Sequence, residues 1–175
     1  MSHSLDTLDV PVTGAGRTLD DTDRQIVAFL QRDARMANAE IARRLGMAPS
    51  AIFDRIRKLE DRHIIDGYEA RLNAKAVGLG LTAFIFVRGE DTAGDPKIGA
   101  LLAKIPEAQE IHHVAGEDCY LMKVRVADTD ALGTLLRERI GAIKSVRSTR
   151  TTIALGTLKE TYRLPVGEIE GELRR

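Results

Sequence analysis

The chain has 175 residues, 43% of them hydrophobic, which suffices for one ordinary domain or two small ones and excludes global disorder. Lysine and arginine number 26, and so do aspartate and glutamate, which argues against a protein that coats DNA by bulk positive charge. A single cysteine excludes an intrachain disulfide framework, and no apolar run is long enough for a membrane span or a signal peptide. We therefore expect a soluble, cytoplasmic protein.

A helix is predicted shortly after the N-terminus. Residues 1–18 mix Ser, Thr, Asp, Pro and Gly with little apolar spacing, which indicates a flexible tail. Asp20 can then cap a helix whose first turn is acidic. Ile26 and Leu30 recur at helical spacing on its buried face, and the helix should end near Asp33. It supplies the third helix that a helical hairpin needs for a core.

Two short helices joined by a tight turn are predicted next, between residues 36 and 68. Asn38 is a suitable N-cap for the first, and Gly46 suits its left-handed end. Pro49 suits the first position of the second helix, which should run to about Arg62. The apolar positions at helical spacing are Ile41, Ala42 and Leu45, then Ile52, Ile56 and Leu59.

The outer face of the second helix of this hairpin is polar and basic. Its outward positions are Ser50, Asp54, Arg57, Lys58 and Asp61, with Arg55 on the flank. From Arg35 to Ile65 seven residues are positive and four negative, a surplus of three positive charges in a chain of zero net charge. Such a hairpin is typical of a helix-turn-helix, whose second helix enters the major groove of DNA. The alternative is an ordinary helical hairpin with a solvated charged face.

From Leu81 onward the pattern changes to strands and helices. Strands are predicted over 82–88, 108–116, 119–126 and 145–157, helices over 95–105 and from Asp128 to about Ile140, and a further extended piece over 159–165. This order is that of the ferredoxin-like split βαβ fold. Phe84 and Phe86, or their alternates, lie on the sheet face that the helices leave open. A second copy is the simplest cover for that face, so we expect a homodimer.

The fold class is therefore α+β: an N-terminal (winged) helix-turn-helix domain followed by a C-terminal ferredoxin-like βαββαβ oligomerisation domain. The predicted divisions are a flexible tail over 1–18, a helix-turn-helix DNA-binding domain over 19–65, a linker over 66–80, a ferredoxin-like dimerisation domain over 81–165, which is the effector-binding domain of the family resemblance described next, and a tail over 166–175.

Several motifs occur in a fixed order along this chain. They are Leu19-Asp20-x-x-Asp23, Asn38-x-Glu40-Ile41-Ala42-x-Arg44-Leu45-Gly46, Pro49-Ser50 with Arg55-Ile56, Val114-Ala115-Gly116-x-Asp118-x-Tyr120, and Thr149-x-Thr151. Together they resemble the Lrp/AsnC family of bacterial and archaeal transcriptional regulators, from Leu19 to Pro165. The resemblance implies dimers that assemble further into tetramers or octamers. It also implies a small effector, usually an amino acid, bound between subunits.

The resemblance also places the effector around the turn between the second and third strands, at Ala115, Gly116, Glu117, Asp118 and Tyr120. Free backbone N–H groups in such a turn can bind a carboxylate, and Asp118 or Glu117 can accept an ammonium group. Thr149 and Thr151, on one face of the last strand, are candidates for hydroxyl contacts from a neighbouring subunit. The alternative is that Gly116 and Asp118 only form the turn and the threonines are ordinary strand residues.

The helix-turn-helix resemblance assigns roles to the outward side chains. Ser50 and Arg57 are the predicted groove contacts, and Asp54 is a candidate reader of a cytosine amino group. Arg43, Arg55 and Lys58 are predicted to contact phosphates. Such contacts position the protein on the duplex but do not select the base sequence. A dimer then needs a near-palindromic site on double-stranded DNA, with half-sites about 34 Å or a multiple apart. Ala48 and His63 depart from the family, which has Ser and Gly there; histidine also tolerates the left-handed conformation.

An enzyme is the class that the sequence disfavours. His112 and His113 are adjacent in a strand and point to opposite faces, and Cys119 lacks a second cysteine at metal spacing. We predict no catalytic residue, no metal site and no cofactor beyond the effector. The predicted function is a ligand-responsive, sequence-specific DNA-binding regulator. The alternative is a ligand-independent architectural protein of the same fold that wraps DNA.

Overall fold

A computed structural model describes residues 19–90, 97–116 and 119–167 of the chain. The chain forms two compact units. Among the described residues, the first unit contains 19–69 together with 161–167, and the second lies between Ala70 and Glu160. None of the helices in the described ranges has the length and hydropathy of a membrane-spanning segment.

The first unit is built on three helices, α1 (Asp21–Arg32), α2 (Asn38–Leu45) and α3 (Pro49–Asp61). α1 begins as predicted, because the Asp20 side chain accepts a hydrogen bond of 2.6 Å from the Asp23 N–H. α2 ends at Gly46, whose φ of 63° is a left-handed conformation that glycine adopts at little cost. His63, after α3, has a φ of 52°, so it takes the conformation expected of it.

The start of α2 differs from the sequence prediction. Ala37 is the N-cap, with extended backbone and a carbonyl that already accepts from the Glu40 and Ile41 N–H groups. Asn38 is therefore inside the helix, and the prediction that it caps α2 is wrong. No side-chain capping bond forms at this end. The helix begins one residue earlier because the Ala37 carbonyl is the first helical acceptor.

Apolar side chains from all three helices form one core. Its buried members are Ile26, Val27, Phe29, Leu30, Ile41, Ala42, Ile52, Ile56 and Leu59. The predicted inward positions of α1 and α3 are thereby confirmed. Each of the Ile, Val, Leu and Phe side chains, taken fully out of water, contributes about 1.5–3 kcal/mol to folding. This core fixes which face of α3 is left for solvent.

A C-terminal segment, residues 161–167, belongs to the helical unit. The Gln31 side-chain amide donates to the Leu164 carbonyl at 3.2 Å and accepts from the Leu164 N–H at 2.7 Å. Arg163 donates to the Arg32 carbonyl at 3.3 Å, and Val166 packs against the helical core. The sequence division instead placed residues up to 165 with the sheet. The contacts that decide this connect positions more than 130 apart in the chain.

The second unit is an antiparallel sheet with helices. Its strands are β1 (Leu81–Gly89), β2 (Ala108–His113), β3 (Tyr120–Val126) and β4 (Val146–Ile153), in the order β2-β3-β1-β4. α4 (Lys97–Leu102) follows β1, and α5 (Thr129–Thr134) follows β3 and continues as a π-helical turn, Leu135–Ile140. Asp128 caps α5 by accepting from the Ala131 N–H at 2.8 Å, as predicted. The connectivity confirms the ferredoxin-like fold.

One face of the sheet and the helices share a second core. Its buried members are Ala83, Ile85, Val87, Ile98, Leu102, Ile105, Tyr120, Met122, Val124, Val126, Leu132, Leu135 and Ile140. The alternate positions of β1 and β3 point to the opposite face, which we call the open face. Phe84 on this face is 37% exposed, and the Arg150 guanidinium lies 4.1 Å from the centre of the Phe86 ring. The helices therefore cover only one side of the sheet.

Two predicted elements differ from those observed. The helix predicted over 95–105 is described only over Lys97–Leu102, and residues 91–96 lie outside the described ranges. The extended piece predicted over 159–165 forms no strand; residues 154–160 stay with the sheet unit, and residues 161–167 pack on the helices. Tyr162 and Leu164 in this stretch remain exposed, and the segment is held instead by the hydrogen bonds of Leu164 to Gln31 and of Arg163 to Arg32.

Candidate nucleic-acid interface and effector site

The outward face of α3 presents the side chains predicted to contact DNA. Ser50, Asp54, Arg57 and Lys58 are all exposed on this helix. Ile52, Ile56 and Leu59 hold the opposite face in the core, so the orientation of α3 follows from its apolar spacing. Ala48 precedes the helix without a side-chain capping bond, as its methyl group requires. The structure thus brings these four predicted contacts onto one surface.

Arg55 has a different place from the other basic residues of α3. One guanidinium nitrogen, Nη1, donates to Asp20 Oδ2 and to Asp23 Oδ1, each at 2.7 Å. Hydrogen bonds to Asp20 first and then to Asp23 raise the pKa of Arg55, and the Arg55 hydrogen bond lowers the pKa of Asp20. Arg55 therefore ties α3 to the start of α1. This placement differs from the phosphate contact predicted for it.

Arg43 lies on the surface of α2, with its side chain 72% exposed. It donates to both carboxylate oxygens of Glu40 at 2.7 and 2.9 Å, and Arg44 donates to the same carboxylate at 2.7 Å. Hydrogen bonds from Arg43 and then Arg44 lower the pKa of Glu40 to about 2. Arg44 also lies 5.4 Å from the centre of the Phe29 ring. A solvent-exposed pair such as Arg43–Glu40 is weak and leaves Arg43 available to a phosphate.

An open cleft borders α3 on the side of the Arg57 side chain. It is lined by Leu30, Ala34, Met36, Asn38, Phe53, Ile56, Arg57, Glu60, Asp61 and Tyr68. The Tyr68 hydroxyl donates to the Glu60 carboxylate at 2.9 Å. Burial and then that hydrogen bond raise the pKa of Tyr68 to about 12. Phe53, at the edge of this cleft, is 56% exposed, and the sequence analysis did not single it out.

The turn predicted to bind the effector follows β2. The Val114 N–H donates to the Cys119 carbonyl at 2.9 Å and closes the hairpin. Gly116 has a φ of 141°, which favours glycine, and a side chain added there would meet no atom within 4 Å. Glu117 and Asp118 lie outside the described residues. Ala115 and Gly116 thus lie in a turn at this end of the sheet. The backbone at Gly116 favours glycine, and the space beside it is open.

The other predicted effector residues lie on the helix side of the sheet. Tyr120 is buried and stacks on the His113 ring, with centres 5.0 Å apart. It pairs with Val87 on β1, and Val87 pairs with Thr149 on β4, so Tyr120 and Thr149 share one cross-strand row. Thr151 lies one pair further along the same face. The row is near the turn, and Thr149 is exposed at the uncovered edge strand.

A charged cluster lies on the open face of the sheet and was not found from the sequence. The Lys123 ammonium pairs with Glu110 at 2.8 Å and also with Glu160, and Arg125 donates to Glu160 at 2.7 Å. The Lys123 hydrogen bond lowers the pKa of both carboxyl groups. Arg71 donates to the Glu160 carbonyl at 2.9 Å. Glu160 therefore anchors the chain just before it leaves the sheet unit.

Metal-binding groups do not assemble in the part of the chain that the structure describes. No three His, Cys, Asp or Glu side chains there could hold an ion together. His112 and His113 behave as expected from strand geometry, since His112 lies 3.5 Å from Glu110 whereas His113 stacks on Tyr120. The half-buried Cys119 thiol lies 3.6 Å from the Gly89 carbonyl.

Comparison with known proteins matches both units. Residues 19–60 match the AsnC-type helix-turn-helix domain, and residues 82–164 match the Lrp/AsnC ligand binding domain. The leucine-responsive regulatory protein of Escherichia coli K12 is 35% identical over 153 residues, covering 86% of this chain and 93% of the relative. The transcriptional regulator LrpA of Mycobacterium tuberculosis is 42% identical over 139 residues, covering 79% and 91%.

Solved structures agree with these matches. The feast or famine regulatory protein of M. tuberculosis complexed with L-methionine has a TM-score of 0.77 and 40% identity, covering 84% of this chain and 99% of that one. A Neisseria meningitidis regulator in complex with L-methionine has a TM-score of 0.77 and 30% identity, covering 85% and 97%. The matched families and relatives are helix-turn-helix transcriptional regulators rather than enzymes, in agreement with the fold and the exposed α3. The chain belongs to the Lrp/AsnC family.

Proposed function

We propose that α3 docks in the major groove of double-stranded DNA and that its outward side chains select the operator. The observation that supports this most directly is the exposed polar and basic face of α3, opposite three buried apolar residues. Ser50, Asp54 and Arg57 are the base-contacting candidates. Lys58 and Arg43 are the phosphate contacts. Arg55 is assigned instead to holding α3 on α1, because both of its carboxylate partners lie within the protein.

Two matched substitutions test this assignment on DNA selected from random-sequence duplexes by the full-length protein. Arg57→Ala should reduce discrimination between selected and unrelated duplexes. Lys58→Ala should weaken all duplexes alike and flatten the slope of log affinity against log salt by about 0.9, the value for one phosphate contact. Equal effects of both substitutions on every sequence would contradict the assignment of these roles.

We infer that two copies pair through the open face of the sheet. Phe84 is 37% exposed there, and just beyond β4 Leu155 and Leu158 are fully exposed. The large apolar side chains Phe84 and Phe86 lie on this face beside the charged cluster of Lys123 and Glu160, and a sheet face that the helices leave open is normally buried against another layer. A twofold pair would present two α3 helices to a near-palindromic DNA site with half-sites about 34 Å or a multiple apart. Further assembly to tetramers or octamers is part of the same proposal.

Light scattering with size-exclusion chromatography tests the pairing. Phe84→Glu places a charge on the open face and should convert the dimer to a monomer. Leu101→Glu is the matched control, since Leu101 is 43% exposed on α4, on the opposite side of the sheet. A Phe84→Glu variant that keeps the wild-type mass would place the subunit interface elsewhere.

We propose that the effector is an amino acid bound at the turn of Ala115 and Gly116, between subunits. The open, positive-φ Gly116 and the exposed Thr149, which lies in the cross-strand row nearest the turn, support this position, whereas the side chain of Tyr120 is buried in the core. Two related structures carry L-methionine, so an apolar amino acid is the first candidate. Backbone N–H groups of the turn would bind its carboxylate, and Glu117 or Asp118 would accept its ammonium group. Thr149 and Thr151 would add hydroxyl contacts.

Isothermal titration calorimetry with L-methionine, L-leucine and their D-enantiomers tests this site. Gly116→Ala should abolish the heat, because a side chain strains the turn and fills the space above it. Gly78→Ala is the matched control, since Gly78 also has a positive φ, of 80°, and open surroundings. If no common amino acid gives heat or changes the oligomer size, the ligand-independent architectural function is favoured.

A further inference from the structure

Phe53 is a large apolar side chain that the core of the helical unit does not need. It is 56% exposed, whereas its neighbour Ile52 is fully buried. The core face of α3 is already complete with Ile52, Ile56 and Leu59. A phenyl group that stays exposed contributes to folding only through the part of its surface that is buried, and covering the rest would be favourable. Phe53 therefore offers apolar surface to a partner of α3.

The position of Phe53 on α3 aligns it with the proposed base contacts. Ser50, Phe53, Asp54 and Arg57 follow the spacing i, i+3, i+4 and i+7, which places them on one face of a helix. All four are exposed. Phe53 lies in the first half of the helix, the half that reaches base edges in a helix-turn-helix. It is the one apolar member of a polar and charged stripe.

We propose that Phe53 contacts the 5-methyl group of a thymine and is a specificity-determining residue for the operator. The proposal rests on the docking of α3 in the major groove. Only thymine presents a methyl group in that groove, and an apolar side chain is the chemistry that recognises it. Arg57 and Asp54 beside it offer hydrogen bonds to the neighbouring base pairs. The stripe thus reads a thymine adjacent to hydrogen-bonded bases.

A second copy of the chain is the competing occupant of this surface. Phe53 borders the cleft that also contains Tyr68, and a partner segment placed there would cover the phenyl ring. The position favours DNA, because Arg57, four residues after Phe53 on the same exposed face of α3, adds positive charge beside the phenyl ring. The test is designed to separate these two occupants.

The experiment removes single methyl groups from the DNA. Duplexes selected from a random library by the wild-type protein are remade with deoxyuridine in place of each thymine in turn, and affinities are measured at fixed salt by fluorescence anisotropy. At one thymine per half-site, wild type should lose about fourfold in affinity, equivalent to about 0.8 kcal/mol for one buried methyl-sized group. Phe53→Ala should bind the thymine and deoxyuridine duplexes equally, and Phe53→Leu should give an intermediate ratio.

The control variant is Leu72→Ala, since Leu72 is 70% exposed outside α3. It should keep the wild-type ratio of thymine to deoxyuridine affinity. Loss of the methyl effect in Leu72→Ala, or its persistence in Phe53→Ala, would overturn the proposal. A Phe53→Ala protein with a smaller mass in light scattering would show that Phe53 belongs to a subunit interface instead. Failure of the wild type to select any duplex would refute DNA docking itself.

Discussion

Replacement of Arg55 by methionine should weaken the helical unit without removing a contact to DNA. The substitution keeps the aliphatic stem but deletes the guanidinium nitrogen that bridges Asp20 and Asp23 at 2.7 Å. The Asp23 side chain is only 12% exposed, so its carboxylate would be left mostly buried and without this partner. A hydrogen bond to a charged group at such a position is worth about 1.5–3 kcal/mol.

The Asp20 half of the bridge contributes less, because its side chain is 53% exposed and water screens the pair. We therefore expect Arg55→Met to lower the free energy of unfolding by about 2 kcal/mol, measured by urea unfolding of the full chain followed by circular dichroism. Lys58→Met, on the exposed face of the same helix, is the matched control and should change it by less than about 0.5 kcal/mol. Adding Asp23→Asn to Arg55→Met should recover part of the loss, since a neutral amide needs no counter-ion.

The same variants separate the structural role of Arg55 from a role in DNA binding. The salt slope of DNA affinity should stay at the wild-type value in Arg55→Met and fall by about 0.9 in Lys58→Met. The pKa of Asp20 is lowered by Arg55, so the Asp20 contribution is present above its ordinary value of 3.8 and is lost as the pH falls through the lowered folded value. A variant with wild-type stability and a flattened salt slope would refute the reasoning.

Three further predictions concern other positions. The Tyr68 phenol should titrate near pH 12 in the folded protein, because burial and then the Glu60 hydrogen bond raise its pKa; ultraviolet absorbance against a Tyr68→Phe control measures this. The contribution of the neutral Tyr68 phenol to stability is fully present below about pH 10 and is lost as the pH rises through the pKa of Tyr68 in the folded protein. Glu60→Gln should lower that folded-state pKa. Gly46→Ala should cost about 1 kcal/mol of unfolding free energy, since Gly46 has a φ of 63° with open space around it, and a zero cost would contradict the strain argument. Gly89→Ala should be more damaging, because its methyl group would meet the Ile98 side chain and, at 2.8 Å, the Ser145 carbonyl; soluble expression and thermal unfolding would reveal an unexpectedly tolerant site.

Local signals predicted most of the fold. Asp20, Gly46 and Pro49 act within a few residues of themselves, so their capping and turn roles were legible from sequence. The alternating residues of β3 likewise predicted its buried face. The Asn38 cap was misplaced by one residue, because a backbone carbonyl can begin a helix without a side-chain cap, as Ala37 does here.

Long-range pairings account for what sequence reasoning missed. Arg55 is basic and lies beside the exposed stripe of α3, and nothing local shows that its partners lie more than 30 residues earlier. Lys123 and Glu160 pair across a similar separation, and the packing of residues 161–167 on α1 spans even more. Phe53 was passed over because an apolar residue in an amphipathic helix is ordinarily assigned to the core. Its exposure follows only from seeing which side chains fill that core.

Because residues 161–167 pack on α1, the polypeptide passes from the helical unit into the sheet unit and then returns to the helical unit. The helical unit, which contains α3, is consequently joined to the sheet unit by two chain connections, one at each end of the sheet unit. After a single proteolytic cut near Leu72, the C-terminal fragment would stay bound to the helices through the hydrogen bonds between Gln31 and Leu164 and the packing of Val166 on the helical core. A shorter protein that ends at Glu69 would lack Val166, and the apolar surface that Val166 covers would be exposed. The helical unit is thus assembled from two segments that are far apart in the sequence, 19–69 and 161–167.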